Sequence, residues 1–351
     1  MNGKLTRVRR RASMAASLGL GEAMFASAEE RRLVDQVEQG LEQVEAKLKH
    51  EVAFADELAD VTSRYLLEAG GKRVRPTLTL LTSQLGGGVD ESVITAAAAL
   101  EITHLASLYH DDVMDEANMR RGVPSAQAVW GNSVAILTGD LLFARASKLI
   151  ASLGEDAIRM QADTFERLCL GQLHETIGPR DGDDPIEHYI QVLADKTGSL
   201  IAAAARIGLL FSDTRDYQRH VEEFGEKIGV AFQLVDDVID LSAESERTGK
   251  TAGTDLRAGV VTLPILYLQR DAETDPDAAS LLARIEAGRG GDAHTLDPEI
   301  AELRAHSATA RTIDEAHRWA RDAQVAIAPL PDGPVKKALM RFAESIVERS
   351  S

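Results

Sequence analysis

The chain has one cysteine, Cys169, so it cannot build an internal disulfide framework and fits a reducing compartment. In the context DTFERLCLGQ that residue reads as a small apolar group on a helix. No run of roughly 18 apolar residues occurs, so no membrane-spanning helix is expected. Basic charge is also in deficit. The formal net charge is −17, which excludes a nucleic-acid binder, because phosphates would be repelled. An anionic protein that handles an anionic substrate needs metal ions or a local basic patch. Proline is missing between Pro124 and Pro179 and between Pro185 and Pro264, and strand-like alternation is missing throughout.

What fills the proline-free intervals is alanine and helix-period apolar residues. With 44% hydrophobic residues a sizeable core is available. The pattern predicts helices over 30–49, 54–69, 73–85, 90–117, 131–152, 155–178, 186–211, 215–242, 260–270, 277–287, 298–306, 311–327 and 333–349. Asp90 and Asp213 are expected N-caps. Breaks are expected at Gly86-Gly87-Gly88, at Gly122-Val123-Pro124, between Pro179 and Pro185, and at 288–291. The fold class expected is all-α, a large single-domain helical bundle with a central cavity over residues 29–351. Residues 1–28 are basic, with no acid before Glu22, and are expected to form a flexible tail, the other readings being targeting or, at most, peripheral attraction to a membrane surface.

Two pentads stand out, DDVMD (Asp111, Asp112, Asp115) and DDVID (Asp236, Asp237, Asp240). On a helix the first and last aspartates of each share a face. Such carboxylates repel one another unless a cation joins them. Mg²⁺ suits them, since it takes oxygen ligands and shares them with substrate phosphates. Several basic or polar residues accompany the pentads. GGKRVRP places Lys72 and Arg75 near a helix start behind two glycines, although solvated bases would read the same way. Arg120 and Arg121 follow the first pentad, either as phosphate ligands or as salt-bridge partners. Lys196-Thr197 sits mid-helix and Gln233 lies one turn before the second pentad; Lys196 reads equally as a snorkelling surface lysine. His104 lies two turns before Asp111 on the same face, as a core residue or a ligand. The stretch from Gly249-Lys250 through TDLRAGVVTLP is expected to be a loop able to close over the site.

The ordered set GGKRVRP, EITHLASLYHDDVMDEANMRRGVP, GQLHE, KTGSL, FQLVDDVID, GKTAGTDL and TLP resembles the trans-polyprenyl diphosphate synthases of the isoprenyl diphosphate synthase family. That resemblance implies condensation of isopentenyl diphosphate with an allylic diphosphate, assisted by about three Mg²⁺ ions per active site. It implies that Asp111, Asp112, Asp115 and Asp236 hold Mg²⁺ against the allylic diphosphate, with Asp237 and Asp240 behind. Arg120, Lys196 and Lys250 would contact that diphosphate. Lys72, Arg75, His104 and Arg121 would hold isopentenyl diphosphate. Thr197 and Gln233 would face the reacting carbons, and Gln172 and Glu175 would support the metal site. A homodimer, a cytoplasmic location and a product used as a quinone side chain also follow from the resemblance. One departure is Val260, where the family pattern has lysine.

Small residues on the turns before the first pentad, Ala106, Thr103 and Ala99, leave room for a growing chain, unless they merely let helices pack. A long product of about six to ten isoprene units is expected on that ground. The competing readings are a short-chain (farnesyl or geranylgeranyl) synthase, a terpene cyclase, a subunit of a heteromeric synthase and an acidic metal-binding helical protein. The second pentad and GGKRVRP weigh against the cyclase, and the intact aspartates weigh against a non-catalytic subunit.

Overall fold

Alanine-rich, proline-free stretches fold here as helices capped by the residues that helix ends require. The structure, a computed structural model, describes residues 27–212, 215–242, 252–288 and 296–348. Within them the helices are α1 (Ala28–Glu51), α2 (Glu57–Glu68), α3 (Val74–Ser83), α4 (Glu91–Met114), α5 (Ala126–Trp130), α6 (Asn132–Ala151), α7 (Glu155–Ile177), α8 (Pro185–Leu193), α9 (Ser199–Ile207) and α10 (Gln218–Asp240). They continue with α11 (Thr254–Arg257), α12 (Leu263–Ala272), α13 (Pro276–Gly288), α14 (Asp297–Ala305), α15 (Ser307–Ala326) and α16 (Pro334–Val347). The only strands among the described residues are β1 (Met119–Arg120) and β2 (Val123–Pro124), an antiparallel pair. The all-α class is therefore confirmed.

The backbone forms two compact units. The first takes the chain to Phe165, Leu200–Glu223 and Pro329–Phe342; the second takes Glu166–Ser199, Phe224–Ala328 and the chain from Ala343. In the first unit α4 is the core helix, packed against α1, α3 and α6. It is buried on every side, from Val93 through Tyr109 to Asp112. By length and composition α4 is apolar enough to cross a membrane, which the sequence reading did not expect, but 83% of its most apolar window is buried inside the protein. In the second unit, α12 packs on α13, α15 and α8. Leu256, Ile265, Leu268, Leu281, Ile285, Ile300 and Leu303 form its apolar centre.

Caps follow the chemistry anticipated. The Asp90 side chain accepts the Val93 amide at 2.9 Å, and Asp184 accepts the amides of Ile186 and Glu187 ahead of Pro185. Asp213 lies outside the described residues, as do residues 1–26 and Lys250.

Four local expectations are corrected. The segment 186–211 is not one regular helix: Ala194–Gly198 form a π turn between α8 and α9. The stretch after Gly253 is not all loop, because Thr254–Arg257 make one helical turn. Residues 126–130 are helical, started by Ser125 accepting the Ala128 amide. Residues 119–124 form a hairpin, since Arg121 (φ 53°) and Gly122 (φ 79°) both take the positive φ that a two-residue hairpin loop demands.

Candidate active site

The first pentad closes α4. Asp115 is the C-cap, and its amide donates to the Asp111 carbonyl at 2.8 Å, so the two carboxylates stack one turn apart as the spacing predicts. Asp112 turns inward and is fully buried. Its Oδ1 accepts Arg120 Nε at 2.6 Å, while its Oδ2 is buried without a hydrogen-bond partner. Burial pushes the Asp112 carboxyl above its ordinary range, against the pull of Arg120. The hairpin thus delivers Arg120 to the pentad. It sends Arg121 the other way, where Nη1 donates to the Leu66 carbonyl at 2.7 Å.

A basic cluster surrounds His104. Burial together with Arg75, Arg121, Arg120 and Arg73 holds the imidazole well below its usual value, so it is neutral near pH 7. Arg75 enters from the first turn of α3; burial lowers its guanidinium to about 10, partly offset by Glu101, and its Nε has no partner. Arg73 sits behind it at φ 53° as the N-cap of α3, between Glu45 and Glu101. A Cβ on Gly71 would fall 2.5 Å from Arg73 Nη1 and 3.2 Å from Arg121 Nη2, so the glycine lets both guanidiniums approach the loop. The helical i, i+3 argument for Lys72 and Arg75 fails, because Lys72 precedes the helix and Arg73 is left-handed. Lys72 is exposed; Arg75 groups with His104 and Arg121 instead.

The second pentad closes α10, and its last two members are engaged by the protein. Asp237 Oδ2 accepts the Tyr189 hydroxyl at 2.7 Å. Burial nonetheless raises the Asp237 carboxyl well above its ordinary range. Asp240 accepts the amides of Thr254 (3.2 Å) and Asp255 (3.1 Å), capping α11. Asp236 is half-buried. Within the same unit Lys196, its side chain 22% exposed, reaches Glu175 at 2.5 Å. Thr197 and Gln233 are half-buried, and Gln172 is buried with Oε1 unmatched. Among the described residues no three His, Cys, Asp or Glu side chains enclose a metal ion by themselves. Mg²⁺ is ordinarily held by one or two carboxylates plus substrate phosphates, and the buried, unmatched Asp112 Oδ2 fits such a ligand.

Ala99 and Ala106 are fully buried and Thr103 is 2% exposed, with its hydroxyl donating to the Ala99 carbonyl. Val260 is 47% exposed, its amide tied to the Asp255 carbonyl at 2.9 Å.

Sequence reasoning missed Arg73, Glu45, Glu101, Tyr189 and Arg167. Glu101 carried a signal, as the one acid within the apolar run TAAAALEITHL. The others depend on contacts that no local pattern reveals.

An all-α fold with two DDxxD helix ends, one beside a cluster of guanidiniums, defines a class of enzymes acting on prenyl diphosphates. A family model described as polyprenyl synthetase matches residues 56–295, a span reaching into both units. A nonaprenyl diphosphate synthase from Mycobacterium tuberculosis is 44% identical over 340 residues, covering 96% of this chain and 98% of that protein. An octaprenyl diphosphate synthase from Escherichia coli is 34% identical over 81% of this chain and 88% of its own length. A crystal structure of geranylgeranyl pyrophosphate synthase from Corynebacterium glutamicum, complexed with calcium and isoprenyl diphosphate, superposes with a TM-score of 0.81 at 41% identity, over 93% of this chain and 98% of that one. The chain belongs to the polyprenyl synthetase family. It is an all-α polyprenyl diphosphate synthase, a transferase of prenyl groups that works with a divalent metal.

Proposed function

We propose that the chain condenses isopentenyl diphosphate with farnesyl or geranylgeranyl diphosphate and repeats the step to a long all-trans polyprenyl diphosphate. The observation that carries the reading is the set of guanidiniums around neutral His104, with Arg75 Nε unmatched, beside a pentad whose Asp112 Oδ2 is also unmatched. A site of that kind answers a polyanion and a cation together. Lys72, Arg75, His104 and Arg121 hold isopentenyl diphosphate. Arg120, Lys196 and Lys250 hold the allylic diphosphate. Asp111, Asp112, Asp115 and Asp236 hold about three Mg²⁺ ions, with Asp237 and Asp240 behind them. When bound, the metal supplies charge stabilisation to the departing diphosphate. Arg120 and Lys196 share that charge, while Thr197 and Gln233 face the allylic cation that departure leaves. The homoallylic double bond then attacks C1 of the cation. The departing diphosphate takes the proton that is then lost, as the family resemblance suggests.

The long product is supported by the nonaprenyl and octaprenyl products named for two relatives. A short-chain product is the second reading, favoured by the geranylgeranyl synthase likeness. We further infer a homodimer formed on the exposed apolar residues Leu137, Leu141, Ile158 and Phe165, a cytoplasmic location and a quinone side chain as the end use. Incubation with Mg²⁺, labelled isopentenyl diphosphate and either primer tests the assignment. A ladder of products beyond geranylgeranyl diphosphate supports it; a stop at that length selects the short-chain reading, and no incorporation defeats both.

A further inference from the structure

Lys196 and Thr197 lie on a π turn, and a π turn persists only where the surroundings hold it. Two features hold this one, both within the second unit. The first is steric. A Cβ on Gly171 of α7 would lie 2.7 Å from the Lys196 amide nitrogen. One on Gly229 of α10 would lie 2.5 Å from Gly198 Cα, and one on Gly198 would lie 3.1 Å from the Glu226 carbonyl. Both helices therefore press their backbones on the turn at glycines. The second feature is electrostatic. Arg167 on α7 donates from Nε to Asp195 Oδ1 at 2.9 Å, with Nη2 2.8 Å from the same oxygen, and donates from Nη1 to Glu226 Oε2 on α10 at 2.7 Å. Gln191 Nε2 holds the other Asp195 oxygen at 2.8 Å, and the Ser199 hydroxyl donates to the Asp195 carbonyl. Asp195 is 14% exposed in its side chain and immediately precedes Lys196. Lys196 itself reaches Glu175, two turns beyond Arg167 on α7.

We propose that Arg167 is a positioning residue, which ties Asp195 to Glu226 and so fixes the π turn that presents Lys196 to the allylic diphosphate. The proposal rests on the reading of Lys196 as a ligand of that diphosphate. Arg167 touches no substrate in this account. Without it, two carboxylates that shared one guanidinium are left to repel each other, and the turn they flank loses its register. Glycine contacts alone fix how closely the helices approach, whereas the guanidinium fixes the rotation of the turn, because its planar fork binds Asp195 through two nitrogens.

The test is steady-state kinetics on Arg167→Gln, Lys196→Ala and the double variant, with each substrate varied in turn. Arg167→Gln should raise KM for the allylic primer about tenfold and leave KM for isopentenyl diphosphate within about twofold. In the Lys196→Ala background the same change should add less than about twofold, since the residue it positions is gone. Arg167→Lys should recover part of the loss, keeping charge without the fork. An undiminished effect in the Lys196→Ala background, or equal rises in both KM values, overturns the positioning role and leaves the reading of Lys196 intact. If Lys196→Ala does not raise the allylic KM, the reading of Lys196 falls, and the proposal with it. Should Arg167→Gln fail to fold, Glu226→Gln cuts one arm of the bridge and should give a smaller rise with the same selectivity for the primer. A rise shared by both substrates, or none, would again count against the proposal.

Discussion

Arg73 should be the most costly single residue to remove from the basic loop, although it was not among the residues expected to touch substrate. Its side chain is 5% exposed and lies between Glu101, 4% exposed, and Glu45, 24% exposed. Burial works to depress the guanidinium, but Glu101 and Glu45 more than compensate, so the charge is held firmly. Arg73→Met keeps the stem and removes the charge, so buried Glu101 loses the guanidinium that donates to it and keeps only the field of Arg75 and Arg121. Breaking a buried pair by removing one partner costs about 3–5 kcal/mol, far more than the pair itself is worth. The left-handed backbone at φ 53° is strained for Met as for Arg, so it drops out of the comparison. Replacing the acid as well, in Arg73→Met/Glu101→Gln, removes the charge left without its donor and should recover roughly half the loss.

The assay is urea denaturation read beside hydrogen exchange at residues 70–83, because a chain of two compact units need not unfold in one step. Arg73→Met should lose protection across α3 first, and the double variant should regain it. The loop that presents Arg75 would loosen with α3, so isopentenyl diphosphate should bind more weakly in the single variant. Stability within about 1 kcal/mol of the parent in Arg73→Met, or no recovery on adding Glu101→Gln, would refute the buried-charge reasoning.

Three further outcomes follow from the site. His104 is held neutral by burial and four arginines, so its folded pKa lies below its unfolded value. Its contribution to stability is complete above about pH 6.5 and is lost as pH falls below that. Diphosphate binding offsets the arginines and should draw a proton onto the ring; calorimetric heats independent of buffer ionisation at pH 6 would disprove this. Val260→Lys, at an exposed site whose backbone bond does not involve the side chain, should tighten the allylic primer about fivefold, a gain of about 1 kcal/mol; unchanged affinity counts against a missing contact there. Ala106→Phe should shorten the product ladder while lowering the melting temperature, since Ala106 is fully buried; an unaltered ladder in the folded variant places the growing chain elsewhere.

The helices were legible because their apolar period, proline gaps and caps all agree, as at Asp90 and Pro185. The pentads were legible because aspartates on a shared helix face have few structural uses. What stayed hidden was whatever one segment does to another. The hairpin at residues 119–124 is only two residues per strand, too short for an alternation signal, and its turn is marked by Gly122 alone. The π turn inserts one residue into a helical pattern that looks unbroken from Pro185 to Ile207. The i, i+3 pairing of Lys72 with Arg75 was misread because Arg73, a residue with no intrinsic taste for left-handed backbone, adopts it before the helix starts, with its side chain between Glu45 and Glu101.

The two pentads share their pattern of aspartates but divide their labour differently. In the second, Asp237 is bound by Tyr189, and Asp240 by the amides of Thr254 and Asp255. Those partners lie on α8 and α11, so Asp240 fastens the chain that follows the pentad. A carboxylate already accepting two amides, as Asp240 does, has less capacity to offer a cation. In the first pentad Arg120 donates to one oxygen of Asp112, and the other oxygen is buried and unmatched. An unmatched buried oxygen costs about 1–3 kcal/mol and is retained only where something returns that cost. On the proposed reading a metal shared with the substrate would do so only when the substrate arrives, and the first pentad would then be the part of the site whose stability depends on being occupied.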